Sequence, residues 1–198
     1  MPSRRALLLQ AAAGLALIGA GPPEAASLAG QLLIAAPTIG DPRFGHTVIL
    51  MLRHDKDGAF GIILNRPLGE QTIADLLKAA GDKDSQAQGK VQVFAGGPVQ
   101  PELGFVVHSA EYHLADTLEV DGHVAMTADK QVLRDIGNGK GPTKRLFAFG
   151  YSGWGAGQLE GEIARHGWFT TPADPKMVFD DDRNSLWDDA MAHRTRDL

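Results

Sequence analysis

The chain has 198 residues, a formal net charge of −5 and no cysteine. The lack of thiols excludes disulfides, thiolate metal sites, iron–sulfur clusters and a cysteine nucleophile. A make-up of 43% hydrophobic and 22% charged residues is that of a folded globular protein, and the acidic balance, with no Lys/Arg run, gives no general attraction for a phosphate backbone.

Residues 1–27 read as an export signal. Ser3-Arg4-Arg5 makes a positive start, Ala6 to Ala20 an apolar stretch, Pro22-Pro23 a break, and Ala25-Ala26-Ser27 a small-residue cleavage region. The paired arginines before Leu7 and Leu8 match a twin-arginine signal, with a Sec signal as the alternative. The stretch is short for a bilayer span and no basic flank follows it, so no permanent span is expected after processing. Residues 28–198 are then read as one domain. Cleavage implies a periplasmic or secreted protein; an extension that does not function implies a cytoplasmic one.

Gln31 to Ala36 is an apolar strand closed by Pro37, and the turn formers up to Pro42 make a loop. His46 to His54 and Ala59 to Asn65 are strands joined by Asp55-Lys56-Asp57-Gly58, a hairpin. Ile73, Leu76, Leu77 and Ala80 recur at helical spacing, with Thr72 as N-cap and Gly81 as stop. Gly81 to Lys90 is a polar loop. Val91 to Ala95 and Gly104 to Ser109 are strands separated by Gly96-Gly97-Pro98. Leu118 to Val120 and His123 to Met126 form a hairpin about Asp121-Gly122. Thr127 to Ile136 reads as a helix capped by Thr127. Arg145 to Tyr151 is a strand, Gly155 to His166 a helix with Leu159 and Ile163 inward, Trp168 to Thr171 a strand, and Asn184 to His193 a last helix. Hairpins outnumber βαβ units, which predicts an α+β fold with a largely antiparallel sheet.

Four segments in order resemble the YqgE/AlgH family: QLLIAAPTIGDPRFGHTVILMLRHD from Gln31, GAFGIILNRP from Gly58, FAGGP from Phe94, and GYSGWGAGQLEGEIARHG from Gly150. The resemblance runs from Gly30 to Arg194. It implies a bifurcated, coiled β-sheet forming a pseudo-barrel with flanking helices, in a bacterial family without an agreed biochemical function. Members begin close to the QLLIA-like strand and are typically cytosolic, so the N-terminal extension is a departure. Some are described as transcriptional regulators; here the acidic charge, the export signal and the lack of a helix-turn-helix pattern weigh against that role.

Gly150-Tyr151-Ser152-Gly153-Trp154 begins like a nucleophile elbow but carries Trp154 where the strained turn needs a second glycine, so a serine hydrolase is not expected. GWGAG and GNGKG match neither the dinucleotide fingerprint nor the P-loop, so no cofactor is expected. The same segment, read as a strand-to-helix connection, leaves open N–H groups for an anion at the helix start. Gln158 and Glu162 are i,i+4 neighbours, while Glu160 points elsewhere. Asn65 either closes the turn before Pro67 or binds a ligand, and Arg66 is a candidate partner of Glu162. Gly96 and Gly97 mark a close backbone approach, to a ligand or to another strand. His108 and His113 lack the spacing of a zinc-protease pair. His46 and His54, on one strand, are too far apart to share an ion. Asp180-Asp181-Asp182 lacks the glycine and glutamate of a calcium loop, so no metal is expected. Trp154, Trp168 and Trp187 belong to the core or to an interface.

These readings favour a non-catalytic module that binds a protein or small-molecule partner in the cell envelope. The candidate binding residues are Asn65, Arg66, Gly96, Gly97, Ser152, Gln158 and Glu162. A small enzyme built on the same polar residues and a transcriptional regulator are the alternatives, and nucleic acid is not an expected partner.

Overall fold

The computed structural model describes residues 26–82, 87–179 and 182–195. The expected signal segment lies outside these residues except for Ala26 and Ser27, as do part of the polar loop after Gly81 and two of the three aspartates at 180–182.

The N-terminal apolar runs form three antiparallel strands, β1 (Gln31–Ala35), β2 (Val48–Asp55) and β3 (Gly58–Ile63). Their side chains alternate between two cores, as a pleated strand requires. Leu32, Ile34, Val48, Leu50 and Ile62 enter one, while Leu33, Ile49, Met51 and Ile63 enter the other with Trp154, Leu159 and Trp168. Apolar residues on both faces explain why these runs look continuous rather than amphipathic. His46, expected at the start of β2, stands before it with φ of 56° and packs edge-on against Trp187.

After β3 the chain makes β4 (Pro67–Thr72), which the sequence reading did not anticipate. PLGEQT is polar and mostly exposed, with no strand pattern of its own, and it becomes a strand because β5 (Lys90–Ala95) provides the partner. Helix α1 (Ile73–Ala79) lies between them, and the Thr72 side chain accepts from the Asp75 N–H at 3.0 Å as its cap, as expected. Strand β6 (Val99–Ser109) starts five residues earlier than its apolar run, with its register broken between Val99 and Gly104. The expected hairpin at Asp121-Gly122 is present as β7 (Leu118–Glu119) and β8 (Val124–Thr127).

Helix α2 (Gln131–Gly137) begins later than expected, because Thr127 ends β8 and serves the core instead of capping. Thr127 Oγ1 lies 2.9 Å from Nε2 of the fully buried His108, and Thr117 Oγ1 lies 2.7 Å from Thr127 Oγ1. His108 Nδ1 faces the Ser109 carbonyl at 3.0 Å, so Nδ1 carries the proton and Nε2 accepts from Thr127.

Strand β9 (Arg145–Gly155) also exceeds its expected length and absorbs the whole GYSGWG motif. It is followed by α3 (Gln158–Ala164), β10 (Trp168–Pro172), α4 (Pro175–Phe179), which was not anticipated, and α5 (Leu186–Ala192). One edge of β9 is shared: Phe147 to Phe149 pair in parallel with Val93 to Ala95 of β5, and Ser152 to Gly155 pair with Gly58 to Gly61 of β3. The other edge pairs with β6. This fork bifurcates the sheet. The result is a mixed α+β protein whose strongly curled, largely antiparallel sheet forms a half-barrel, with five α-helices flanking it among the described residues. No helix among those residues is long and apolar enough to cross a membrane.

Candidate functional site

Gly96 and Gly97 sit at the fork, and what they approach is a strand. A side chain on Gly96 would collide with the Gly150 carbonyl, and one on Gly97 with the backbone of Tyr151 and Ser152. The Gly96 N–H donates to Phe149 O at 2.7 Å, and Gly96 O accepts from Ile63 N at 2.8 Å, so this residue joins the two branches. Asn65 is likewise engaged in the fold. Its Oδ1 accepts from Val48 N–H at 3.0 Å and its Nδ2 donates to His46 O at 2.9 Å, which makes the amide a surrogate peptide group at the start of β2. Arg66 forms no ion pair with Glu162 among the described residues. Its Nη2 donates to Gly45 O at 2.8 Å and pins the 3-10 turn Pro42–Phe44 from behind.

Ser152 lies mid-strand opposite Gly61, fully buried, and its Oγ has no hydrogen-bond partner. With Gly150–Gly155 in β9, the link to the two-turn helix α3 is only Ala156-Gly157, and Gly157 at its N-cap supplies no side-chain cap. Gln158 Oε1 accepts from Gly155 N–H at 3.2 Å and so closes this corner.

The polar residues that do meet are Gln158 and Glu162. Leu159 and Ile163 turn α3 onto the core of Trp154 and Trp168, which brings the neighbouring face over the two indoles. Glu162 Oε2 accepts from Trp168 Nε1 at 2.8 Å and Trp154 Nε1 at 3.0 Å, while Oε1 accepts from Gln158 Nε2 at 3.0 Å. Partial burial pushes this carboxyl upward, but the Trp168, Gln158 and Trp154 donors and the nearby Arg165 charge outweigh it and hold the group below the usual glutamate range. Both tryptophans are buried, which assigns them to the core. Glu160 points away, as its helical position requires, to His54 Nε2 at 3.0 Å. His54 Nδ1 accepts from Leu28 N–H at 3.1 Å, so Nε2 is the donor to Glu160 and the pair ties the first described residues to β2 and α3.

Above the indoles, Phe44 stacks 6.5 Å from Trp154 and meets Trp168 edge-on at 5.4 Å. These rings, Glu162, Gln158, Arg165, Pro98 and the 38–43 segment line a cleft of about 420 Å³. Asp41 and Arg43 pair on its lip at 2.6 Å. The wall from Phe44 and the 38–43 segment escaped the sequence reading, because only the fold brings that loop against α3. Among the described residues, no group of three or more His, Asp or Glu is arranged to hold a metal.

Fold and cleft together define a half-barrel α+β protein whose polar centre is a carboxylate clamped by two indoles. The chain matches the AlgH-like family model over residues 32–198 and belongs to that family. It is similar to a UPF0301 protein of Sphingopyxis alaskensis, 43% identical over 163 residues that cover 82% of this chain and 87% of the relative. A UPF0301 protein of Rhizorhabdus wittichii is 44% identical over 166 residues, 84% of this chain and 89% of the relative. Among solved structures, the solution structure of AlgH from Pseudomonas aeruginosa superposes with a TM-score of 0.74 at 36% identity, covering 88% of this chain and 90% of that one.

Proposed function

We propose that the protein is a non-catalytic binding module of the cell envelope, exported by residues 1–27, and that the cleft beside Glu162 receives its ligand or partner segment. The observation that carries this reading is the set of contacts around Glu162, whose two carboxylate oxygens are taken by Trp154, Trp168 and Gln158. A general acid needs a raised pKa and a general base one near neutrality. Glu162 is instead held low by three donors and keeps its charge, a state suited to ordering a recognition surface. Phe44 and Pro98 add apolar wall, and Arg165 and the Asp41–Arg43 pair add polar rim, the mixture common in binding clefts.

The enzyme reading required Asn65, Arg66, Ser152, Gln158 and Glu162 to converge. Only the last two share the cleft, and the Asn65 amide is engaged at both ends by backbone. The regulator reading lacks support from the acidic charge and from any helix-turn-helix pattern.

Two measurements test the proposal. Localisation of the tagged full-length protein, with mass analysis of its N-terminus, should find it processed and outside the cytoplasm. Chemical-shift titration against a metabolite and envelope-extract panel should move resonances of Phe44, Trp154 and Gln158. Turnover of a substrate that Glu162→Gln abolishes would replace the binding module with an enzyme.

A further inference from the structure

The last residues of β9 are paired on one side. Ser152 to Gly155 lie against β3, while β6 reaches β9 only as far as Val99 opposite Tyr151. Before Val99 the chain turns away through Pro98, with Gly97 packed on the backbone of Tyr151 and Ser152. The direction of the peptide groups follows from β3. Leu64 N–H donates to Val48 O at 2.9 Å, on the β2 side, and Ile63 N–H donates to Gly96 O at 2.8 Å, on the opposite side. Odd-numbered residues of β3 therefore face β9, so Ala59 and Gly61 are the bonded partners of Trp154 and Ser152. Gly153 and Gly155 point their N–H and C=O groups away from β3. Two contacts agree with this: a side chain on Gly58 would collide with the Trp154 carbonyl, and Gly155 N–H donates to Gln158 Oε1 at 3.2 Å. Gly153 is exposed, and for a glycine that means exposed backbone. No described residue bonds to its outward N–H or C=O.

This edge separates two hollows on opposite faces of the sheet. Trp154 enters the core beneath α3, and its face holds the cleft beside Glu162. Gly153, one residue before, shares the other face with Phe60 and Tyr151. There Phe60, Tyr151 and Leu118 line a hollow of about 620 Å³, with the two rings 4.9 Å apart. Val99, Gly153 and Trp154 border both spaces.

An unpaired strand edge is a template for another strand, and proteins guard such edges. Thr195 N–H covers Thr170 O on β10 at 2.7 Å, β7 has two residues, β4 carries Pro67 and Glu70, and β6 before Val106 carries Pro101 and Glu102. Ser152–Gly155 has neither charge nor proline. A strand laid along it sends alternate side chains into the two hollows. The residue opposite Gly153 meets Phe60 and Tyr151, which suits a ring. Its neighbours enter the cleft. There the Arg165 side chain makes no hydrogen bond or ion pair with a described residue, and the Glu162 oxygens are already taken. Its free guanidinium donors complement a carboxylate. The β9 edge of a second copy would bring only Gly153 and the buried Trp154, and so would fill neither hollow.

We propose that an extended polypeptide segment adds to β9 as an antiparallel strand, bonded to Gly153, with an aromatic side chain against Phe60 and Tyr151 and an acidic one in the cleft near Arg165. This names the partner of that cleft and rests on the binding reading given above. The test is a chemical-shift titration of the purified protein with acetyl-Thr-Glu-Phe-Glu-Thr-amide. The expected result is saturable movement of Phe60 and Gln158 resonances, with the Gly153 amide proton moving downfield as it gains a bond. The same peptide N-methylated at Phe, or with alanine for Phe, should bind about fivefold more weakly or worse. Gly153→Ala keeps the N–H and should bind within about twofold of the parent, whereas Gly153→Pro, acceptable where the N–H faces outward, should bind about fivefold more weakly or worse. The N-methyl comparison uses the parent protein, so it stands even if the proline variant fails to fold. Absence of saturable movement up to about 5 mM would overturn the proposal. So would equal binding of the N-methylated peptide, or self-association of the protein alone that Gly153→Pro abolishes, which would assign the edge to a second copy. If the peptide fails while the metabolite and envelope-extract panel still moves Phe44, Trp154 and Gln158, strand addition falls and the cleft reading stands; if neither moves them, both fall.

Discussion

Replacing Glu162 by glutamine keeps the shape of the side chain and removes its charge. The carboxylate accepts from two indoles and the Gln158 amide, at 2.8–3.0 Å. A bond to a charged acceptor contributes about 1.5–3 kcal/mol and a neutral one about 0.5–1.5, so three bonds lose roughly 3 kcal/mol on neutralisation. Glu162 stands at the cleft surface, where solvent screening reduces this to about 2 kcal/mol. For a domain of this size that lowers the melting temperature by about 4–8 °C. The pH dependence has a definite sign. The folded carboxyl is held below its unfolded value, so its stabilisation is present above the ordinary glutamate pKa of about 4.3 and is lost as pH falls through the folded value. Urea unfolding of the parent and Glu162→Gln should therefore differ by a constant amount from neutral pH down to about pH 5 and converge in stronger acid. A difference under about 0.5 kcal/mol at neutral pH, or one that fails to shrink in acid, would refute the clamped-carboxylate argument.

Three further outcomes follow from particular contacts. Gly97→Ala places a methyl group on the Tyr151 backbone and should cost about 3 kcal/mol or more, while Gly122→Ala, with open space around it, should be close to neutral by urea unfolding. Ser152→Ala removes a buried hydroxyl without a partner and should leave stability unchanged or raise it by up to about 1 kcal/mol; a loss beyond that would mean the hydroxyl is engaged. His108 is held neutral chiefly by burial, against the opposing pull of the Ser109 carbonyl and Glu111. Its folded pKa lies below its unfolded value, so its contribution is complete above about pH 6.5 and declines by up to about 1.4 kcal/mol per pH unit below it. Its imidazole resonances should show it neutral where exposed histidines are already protonated, and titration at or above the ordinary value would contradict the buried assignment.

The chain of short-range signals was readable wherever neighbours in sequence are neighbours in space. The hairpin at Asp121-Gly122, the Thr72 cap and the divergence of Glu160 from the Gln158–Glu162 face are examples. The turn residue, the capping oxygen and the helical period act within a few residues. Thr127 shows where this fails. A threonine before a helical pattern reads as a cap, but the buried His108 needed a hydroxyl donor and took it. β4 and the last four residues of β9 were missed for a related reason: strand formation depends on a partner edge, and Pro67–Thr72 and Ser152–Gly155 carry little strand character until β5 and β3 lie beside them.

The sequence by itself determined the family, the α+β class and the hairpin of β2 and β3, since periodicity and turn chemistry are local properties of the chain. Only the tertiary structure decided which polar residues act together. It tied Asn65, Arg66 and Gly96 to neighbouring backbone, packed Gly97 against Tyr151, and set Glu162 between two indoles. Those arrangements arise from the forked edge of β9 and from the loops packed beside it, and charge and hydrogen bonding over such sequence separations depend on distances that no linear pattern records.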